Sequence, residues 1–193
     1  MNMREVEYWN AVGDVAISSR RENIFKRTEI VRRILARPPI NERVLEIGVG
    51  KGYTAAAVGV ACCGSMRYVG TELAPAFLEF AHEVSGHDMV QTDITALPDG
   101  PFDQVWAFDT LEHVKAEDRA KGYAEIDRVL AEHGMIVLNL PLGESLHVGE
   151  FEHGITDESV MQLATACRCR VIQWDAYRIP MLNIPYAFVV LKR

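Results

Sequence analysis

Beyond Pro38-Pro39 the chain alternates short apolar runs with helical patterns, and this alternation limits its possible folds more than any other feature. Strand-like runs fall at residues 43–47, 67–71, 88–91, 102–108 and 135–140. Helical patterns at 53–63, 74–84 and 116–132 lie between them, the second opened by Pro75 and the third closed by Gly134. A helix at 157–166, capped by Thr156 and acidic in its first turn, precedes two last strands at 170–174 and 187–191. Such alternation builds a parallel sheet with helices on both faces. Right-handed crossovers leave few topologies. The link from Asp93 to Phe102 is too short for a full crossover helix, so one helix is expected to be missing or reduced to a turn. Ligands of such sheets bind at the carboxyl ends of the strands, where strand order reverses. Function is therefore expected at the tips of the first four strands.

Residues 1–37 read as helical, with a stripe of Ile24, Val31 and Leu35 flanked by Phe25, Thr28 and Ile34. Pro38 and Pro39 end that helix, because proline cannot continue it. The expected organisation is a helical cap over residues 1–40 and one ligand-binding domain over 41–193. Charge divides at the same place. Residues 1–40 carry eight Lys/Arg and five Asp/Glu, whereas the rest carries twelve and twenty-two. The overall charge of −7 argues against a protein that coats nucleic acid. The basic stretch 17–37 has two readings: a solvated helix face, or an attractor for an acidic acceptor, anionic lipid or nucleic acid. The sequence holds no apolar run of the ~18 residues a membrane span needs. Its start lacks the apolar core of a secretory signal, and a cytoplasmic protein is expected. Cys62-Cys63 and Cys167-x-Cys169 lie in apolar runs without zinc-site spacing, and are expected to be reduced core thiols.

The first strand tip reads Glu46-Ile47-Gly48-Val49-Gly50-Lys51-Gly52-Tyr53. A tight turn would account for the glycines alone. A P-loop is excluded, because Gly50-Lys51 is followed by Gly52 rather than Ser or Thr. A dinucleotide fingerprint fits in its relaxed form, Gly50-x-Gly52-x-x-Ala55. Glu46 adds a further signal, because an acid inside an apolar strand is costly unless it is hydrogen-bonded or functional. At the second tip, Glu72 follows Gly52 by twenty residues, where a carboxylate can accept both hydroxyls of a nucleotide's ribose. At the third, the residues after the strand, Asp93-Ile94, read on their own as an Asx turn leading to Leu97-Pro98.

The fourth segment is the most specific. Phe102-Asp103-x-Val105-x-x-x-Asp109-x-Leu111-Glu112-His113-Val114 resembles the fourth strand and following turn of small-molecule class I S-adenosylmethionine-dependent methyltransferases, including those of ubiquinone biosynthesis. Glu46-x-Gly48-x-Gly50-x-Gly52 is similar to the nucleotide loop of that family. Leu130 and the run Ile136 to Pro141 look like its fifth strand and loop. Lys51 departs from the pattern, which often has a small residue there.

The resemblance implies a Rossmann-like, doubly wound α/β fold. Its sheet would be seven-stranded and mostly parallel, with a reversed last strand. The implied cofactor is S-adenosylmethionine, held by Glu46, Gly48, Gly50, Tyr53, Glu72, Leu73, Asp93, Ile94, Phe108 and Asp109. Asp93 would face the adenine amine and Ile94 would cover the ring. The implied reaction moves a methyl group to oxygen or nitrogen of a small-molecule acceptor. His113 is a candidate base with Asp109, since its unperturbed pKa is near neutral; alternatively Glu112 and His113 only pin the turn. Spaced i, i+3, i+4, Asp109, Glu112 and His113 would share one face of a helical turn. Together with His147 or His153 they also resemble the cluster of metal-dependent members, although no metal is expected. Tyr8-Trp9 either closes over the cofactor or packs on the sheet. Two rival readings stand beside these: a nicotinamide-dependent oxidoreductase, and a non-catalytic binding module that uses the basic helix.

Overall fold

The computed structural model describes residues 3–15, 21–142, 153–179 and 184–193. Two helices, α1 (Met3–Val15) and α2 (Arg21–Leu35), replace the single helical region expected at the start. There follow β1 (Arg43–Ile47), α3 (Tyr53–Ala61), β2 (Arg67–Glu72), α4 (Pro75–Ser85) and β3 (Asp88–Gln91). Then come β4 (Phe102–Phe108), a 3-10 turn (Leu111–His113), α5 (Ala116–Val129), β5 (Leu130–Pro141), α6 (Asp157–Ala166), β6 (Arg170–Ile179) and β7 (Ile184–Lys192). The sheet has seven strands in the order β3-β2-β1-β4-β5-β7-β6. The chain divides into two compact units, Met1–Asp93 and Ile94–Arg193.

In the first unit, β1 and β2 pair in parallel from Arg43↔Arg67 to Ile47↔Thr71, and β2 pairs in parallel with β3. Val44 and Leu45 are fully buried, as strands covered on both faces require. Burying a side chain of that size contributes roughly 1.5–3 kcal/mol. The buried face of α2 is set by Ile30 and Ile34, while Ile24 and Phe25 are exposed. The apolar stripe read from the sequence is thus rotated. Arg27 shares the docked face, and its guanidinium donates to the Thr54 hydroxyl of α3 at 3.4 Å. Helix α1 packs on α4, where Asn10 Oδ1 accepts the Ala76 N–H at 3.3 Å. That bond satisfies a first-turn donor of a helix whose N-cap, Ala74, has no side-chain acceptor of its own.

In the second unit, β4 and β5 are parallel, whereas β7 runs antiparallel to both β5 and β6. This is the reversed last strand that the resemblance implies. No helix forms between β3 and β4. The short link is instead pinned to α5: Glu125 accepts the Leu97 N–H at 3.0 Å, and Arg128 donates to the Leu97 carbonyl and to Asp99. Helix α5 ends at Val129, three residues short of the helix read from the sequence, because Leu130 already pairs with Phe102. The ladder shifts register after that pair, which accommodates residues 131–134 before regular pairing resumes at Met135. Thr156 caps α6 by accepting the Ser159 N–H, as expected. Cys62 and Cys167 are buried, but Cys63 is exposed and Cys169 half-buried, so the four are not uniformly core thiols. Burial pushes the Cys167 thiol up to about 12.

Candidate active site

In the first unit, the glycine loop folds over the end of β2. The N–H groups of Gly48 and Val49 both donate to the Thr71 carbonyl at 2.9 Å. Gly50 and Gly52 have φ of +54° and +70°, a region that costs other L-residues about 1–2 kcal/mol. Their surroundings differ. A Cβ on Gly52 would lie 2.9 Å from the Ala81 Cα, so this glycine lets α4 approach the loop. A Cβ on Gly50 would meet nothing within 4 Å, which leaves the loop backbone open to a ligand.

Glu72 ties this loop to the next strand tip. One carboxylate oxygen accepts the Gly50 N–H at 2.9 Å. The other accepts the N–H groups of Leu73 at 2.7 Å and Ala74 at 3.1 Å. Burial raises the Glu72 carboxyl above its usual range, and the three backbone donors oppose that rise. An ionised carboxylate has about four acceptor positions, so three backbone donors leave about one of them for a ligand. Leu73 is half-buried beside it, and Asp93 is half-buried just beyond β3.

Glu46 is 2 % exposed and accepts a 2.7 Å hydrogen bond from the Tyr68 hydroxyl. Burial pushes its carboxyl up to about 7, against the lowering effects of Tyr68 and the Arg27 guanidinium; the Glu72 charge adds to the rise. Tyr53, 45 % exposed at the start of α3, stands edge-on to Phe80 at 6.0 Å and lies under Arg27 at 5.7 Å. Lys51, the departure from the family pattern, places its ammonium 5.8 Å from the Phe80 ring centre, a cation–π distance. Tyr8 and Trp9 stack edge-to-face at 5.0 Å on α1.

In the second unit, Ile94 is buried against Gly122 of α5, where even an added Cβ would crowd three of its carbons at 3.0 Å. Phe108 is buried beside Trp106, with ring centres 5.6 Å apart. Asp109 has φ of +52° and its N–H donates to the Asn139 carbonyl at 2.8 Å. The shared helical face expected of Asp109, Glu112 and His113 does not form. Asp109 is left-handed and precedes the turn, which is 3-10 rather than α. Glu112 is buried, whereas His113 and Asp109 are half-buried. The His153 N–H donates to the Glu112 carbonyl at 2.8 Å, which brings that segment to the turn. Among the described residues no cluster of three or more His, Cys, Asp or Glu could hold a metal, and His147 lies outside them.

Sequence reasoning missed Asn139 and Tyr177. The Asn139 amide donates to Asp109 Oδ1 at 3.0 Å, and Asn139 Oδ1 accepts the Tyr177 hydroxyl at 2.7 Å. A fully buried amide within the apolar run Leu138-Asn139-Leu140 was the available signal.

The family model for a methyltransferase domain matches residues 45–138. No curated protein matches the chain in sequence. Solved structures share its fold. A TehB-like S-adenosylmethionine-dependent methyltransferase from Corynebacterium glutamicum is 16 % identical, with a TM-score of 0.67 and all of both chains covered. Magnesium protoporphyrin IX methyltransferase from Synechocystis, solved with bound S-adenosylhomocysteine, is 12 % identical, with a TM-score of 0.71 over 89 % of this chain and 83 % of that one. The cyclase SpnF is 15 % identical, with a TM-score of 0.69 over 86 % and 80 %. Residues 45–138 thus match a methyltransferase domain, and the sheet with its reversed last strand shares the fold of the S-adenosylmethionine-dependent methyltransferases it is similar to.

Proposed function

We propose that the chain methylates an oxygen or nitrogen of a small-molecule acceptor, and that residues 1–40 form a cap on a catalytic domain spanning 41–193. The observation that carries the cofactor assignment is the Glu72 carboxylate, bound to the Gly50 N–H at the edge of a loop with open space over Gly50. In this reading Glu46, Gly48, Gly50, Tyr53, Glu72, Leu73 and Asp93 hold S-adenosylmethionine from the first unit. Ile94, Phe108 and Asp109 keep the cofactor-binding role that the sequence resemblance implies. Glu72 takes the ribose hydroxyls, and Asp93 takes the adenine amine. Gly50 allows close backbone approach.

The bound cofactor supplies an activated sulfonium methyl group. The chain's task is then alignment, since a near-attack approach of ~3–3.5 Å supplies much of the acceleration. His113 accepts the proton of a nucleophile that carries one, and Asp109 orients the reacting groups. The reading places the protein in the cytoplasm, with a compact acceptor rather than nucleic acid. Among the described residues no helix is long and apolar enough to cross a membrane.

The test is transfer of labelled methyl from S-adenosylmethionine to a panel of small phenols, carboxylates and amines. Label in one acceptor class, abolished by His113→Ala for a nucleophile that must lose a proton, is the expected result. Cofactor binding with no transfer to any member, or hydride transfer from NADH, would count against it.

A further inference from the structure

We infer that Asn139 and Tyr177 are positioning residues that fix the Asp109 carboxylate for its work in the site. The inference rests on the proposed role of Asp109 and extends it to two residues outside the motifs.

Asn139 is fully buried in β5, and its neighbours Leu138 and Leu140 are equally buried. A leucine would complete that apolar run. A buried amide left unsatisfied costs about 1–3 kcal/mol, so its presence demands partners. The side chain has two: Nδ2 donates to Asp109 Oδ1 at 3.0 Å and Oδ1 accepts the Tyr177 hydroxyl at 2.7 Å. Separately, the backbone carbonyl of Asn139 accepts the Asp109 N–H at 2.8 Å.

The amide orientation is decided by these partners. An ionised carboxylate can only accept. A flipped amide would set its oxygen against Asp109, so Nδ2 must face the carboxylate and Oδ1 the phenol. Tyr177 is itself held: its ring centre lies 5.7 Å from that of Tyr186, its cross-strand partner in the β6–β7 ladder. The chain of donors therefore runs one way, from Tyr177 through Asn139 to Asp109.

Asp109 occupies a backbone conformation, φ +52°, that side-chain-bearing residues rarely adopt. Such conformations persist where the surroundings over-determine them, and they cluster at functional sites. Here both the N–H and the carboxylate of Asp109 are bound by one residue. The fold does not require this polar chain inside β5. It ends on a carboxylate at the carboxyl end of β4, the edge where sheets of this kind bind ligands.

The experiment is a double-mutant cycle read by S-adenosylhomocysteine titration calorimetry on the whole chain, with unliganded melting temperature as a control. Tyr177→Phe removes one hydroxyl and keeps the ring. It should weaken S-adenosylhomocysteine binding by up to about tenfold, the worth of one hydrogen bond. Asp109→Ala should weaken it by about 10- to 150-fold. In the Asp109→Ala background, Tyr177→Phe should have no further effect on affinity, while its effect on melting stays the same in both backgrounds. Asn139→Ala, where it folds, should behave like Tyr177→Phe. Equal losses of affinity in both backgrounds, or no loss in Tyr177→Phe, would overturn the inference alone. A wild type that does not bind S-adenosylhomocysteine would overturn it together with the proposed function.

Discussion

Replacing Glu46 by Gln should stabilise the fold at alkaline pH and have little effect at acid pH. Glu46 is buried, and its carboxyl titrates at about 7 rather than at its ordinary 4.5. The folded state therefore holds this proton more tightly than the unfolded state does. The stability linked to the proton is fully present below pH 4.5 and is lost as pH rises through 7. A shift of that size is worth about 3 kcal/mol once the acid is fully ionised. Glutamine keeps an oxygen to accept the Tyr68 hydroxyl and carries no charge to desolvate. Urea unfolding of both proteins from pH 4 to pH 9 reads the difference directly, because contributions common to both cancel. The Gln variant should gain about 3 kcal/mol on wild type across that range, on the order of 10 °C in melting temperature for a chain of this length. A difference that stays flat with pH would refute the reasoning.

The glycine loop offers a paired prediction. Gly50→Ala and Gly52→Ala carry the same left-handed penalty of about 1–2 kcal/mol, but only the second drives a Cβ to 2.9 Å from the Ala81 Cα. Gly52→Ala should therefore melt lower than Gly50→Ala, whereas Gly50→Ala should lose S-adenosylhomocysteine affinity at little further cost in stability. Equal melting temperatures would remove the packing role given to Gly52. The thiols give another test. Cys63 is exposed, while Cys167 is buried with its thiol at about 12, so an aromatic disulfide reagent at pH 8 should modify Cys63 first in the native protein. Cys63→Ser should abolish the fast phase, and a surviving fast phase would place an accessible thiol elsewhere.

Strands β1 and β4 were legible to the residue because parallel strands buried on both faces read as mainly apolar runs bounded by glycine or proline. The Thr156 cap was legible because capping is local chemistry. Glu46 stood out for a similar reason: an acid in an apolar strand has to be explained. What escaped the sequence depends on tertiary contacts. The face of α2 follows Arg27 reaching Thr54, twenty-seven residues away. The end of α5 is set by Leu130 pairing with Phe102 on another strand. Strands β6 and β7 run longer than read, since pairs such as Arg178↔Pro185 and Tyr177↔Tyr186 extend past the apolar core. Lys51 found its partner in Phe80 of α4, and Tyr177 found Asn139 thirty-eight residues away; neither pairing leaves a local signature.

The most direct measurement is calorimetric titration of the chain with S-adenosylhomocysteine and, separately, with NADH, repeated on Glu72→Ala. The account predicts saturable binding of S-adenosylhomocysteine, none of NADH, and an affinity lower by about 10- to 150-fold in Glu72→Ala, where charge-assisted hydrogen bonds to the ribose are lost. Binding of NADH, or S-adenosylhomocysteine affinity unchanged in Glu72→Ala, would contradict it.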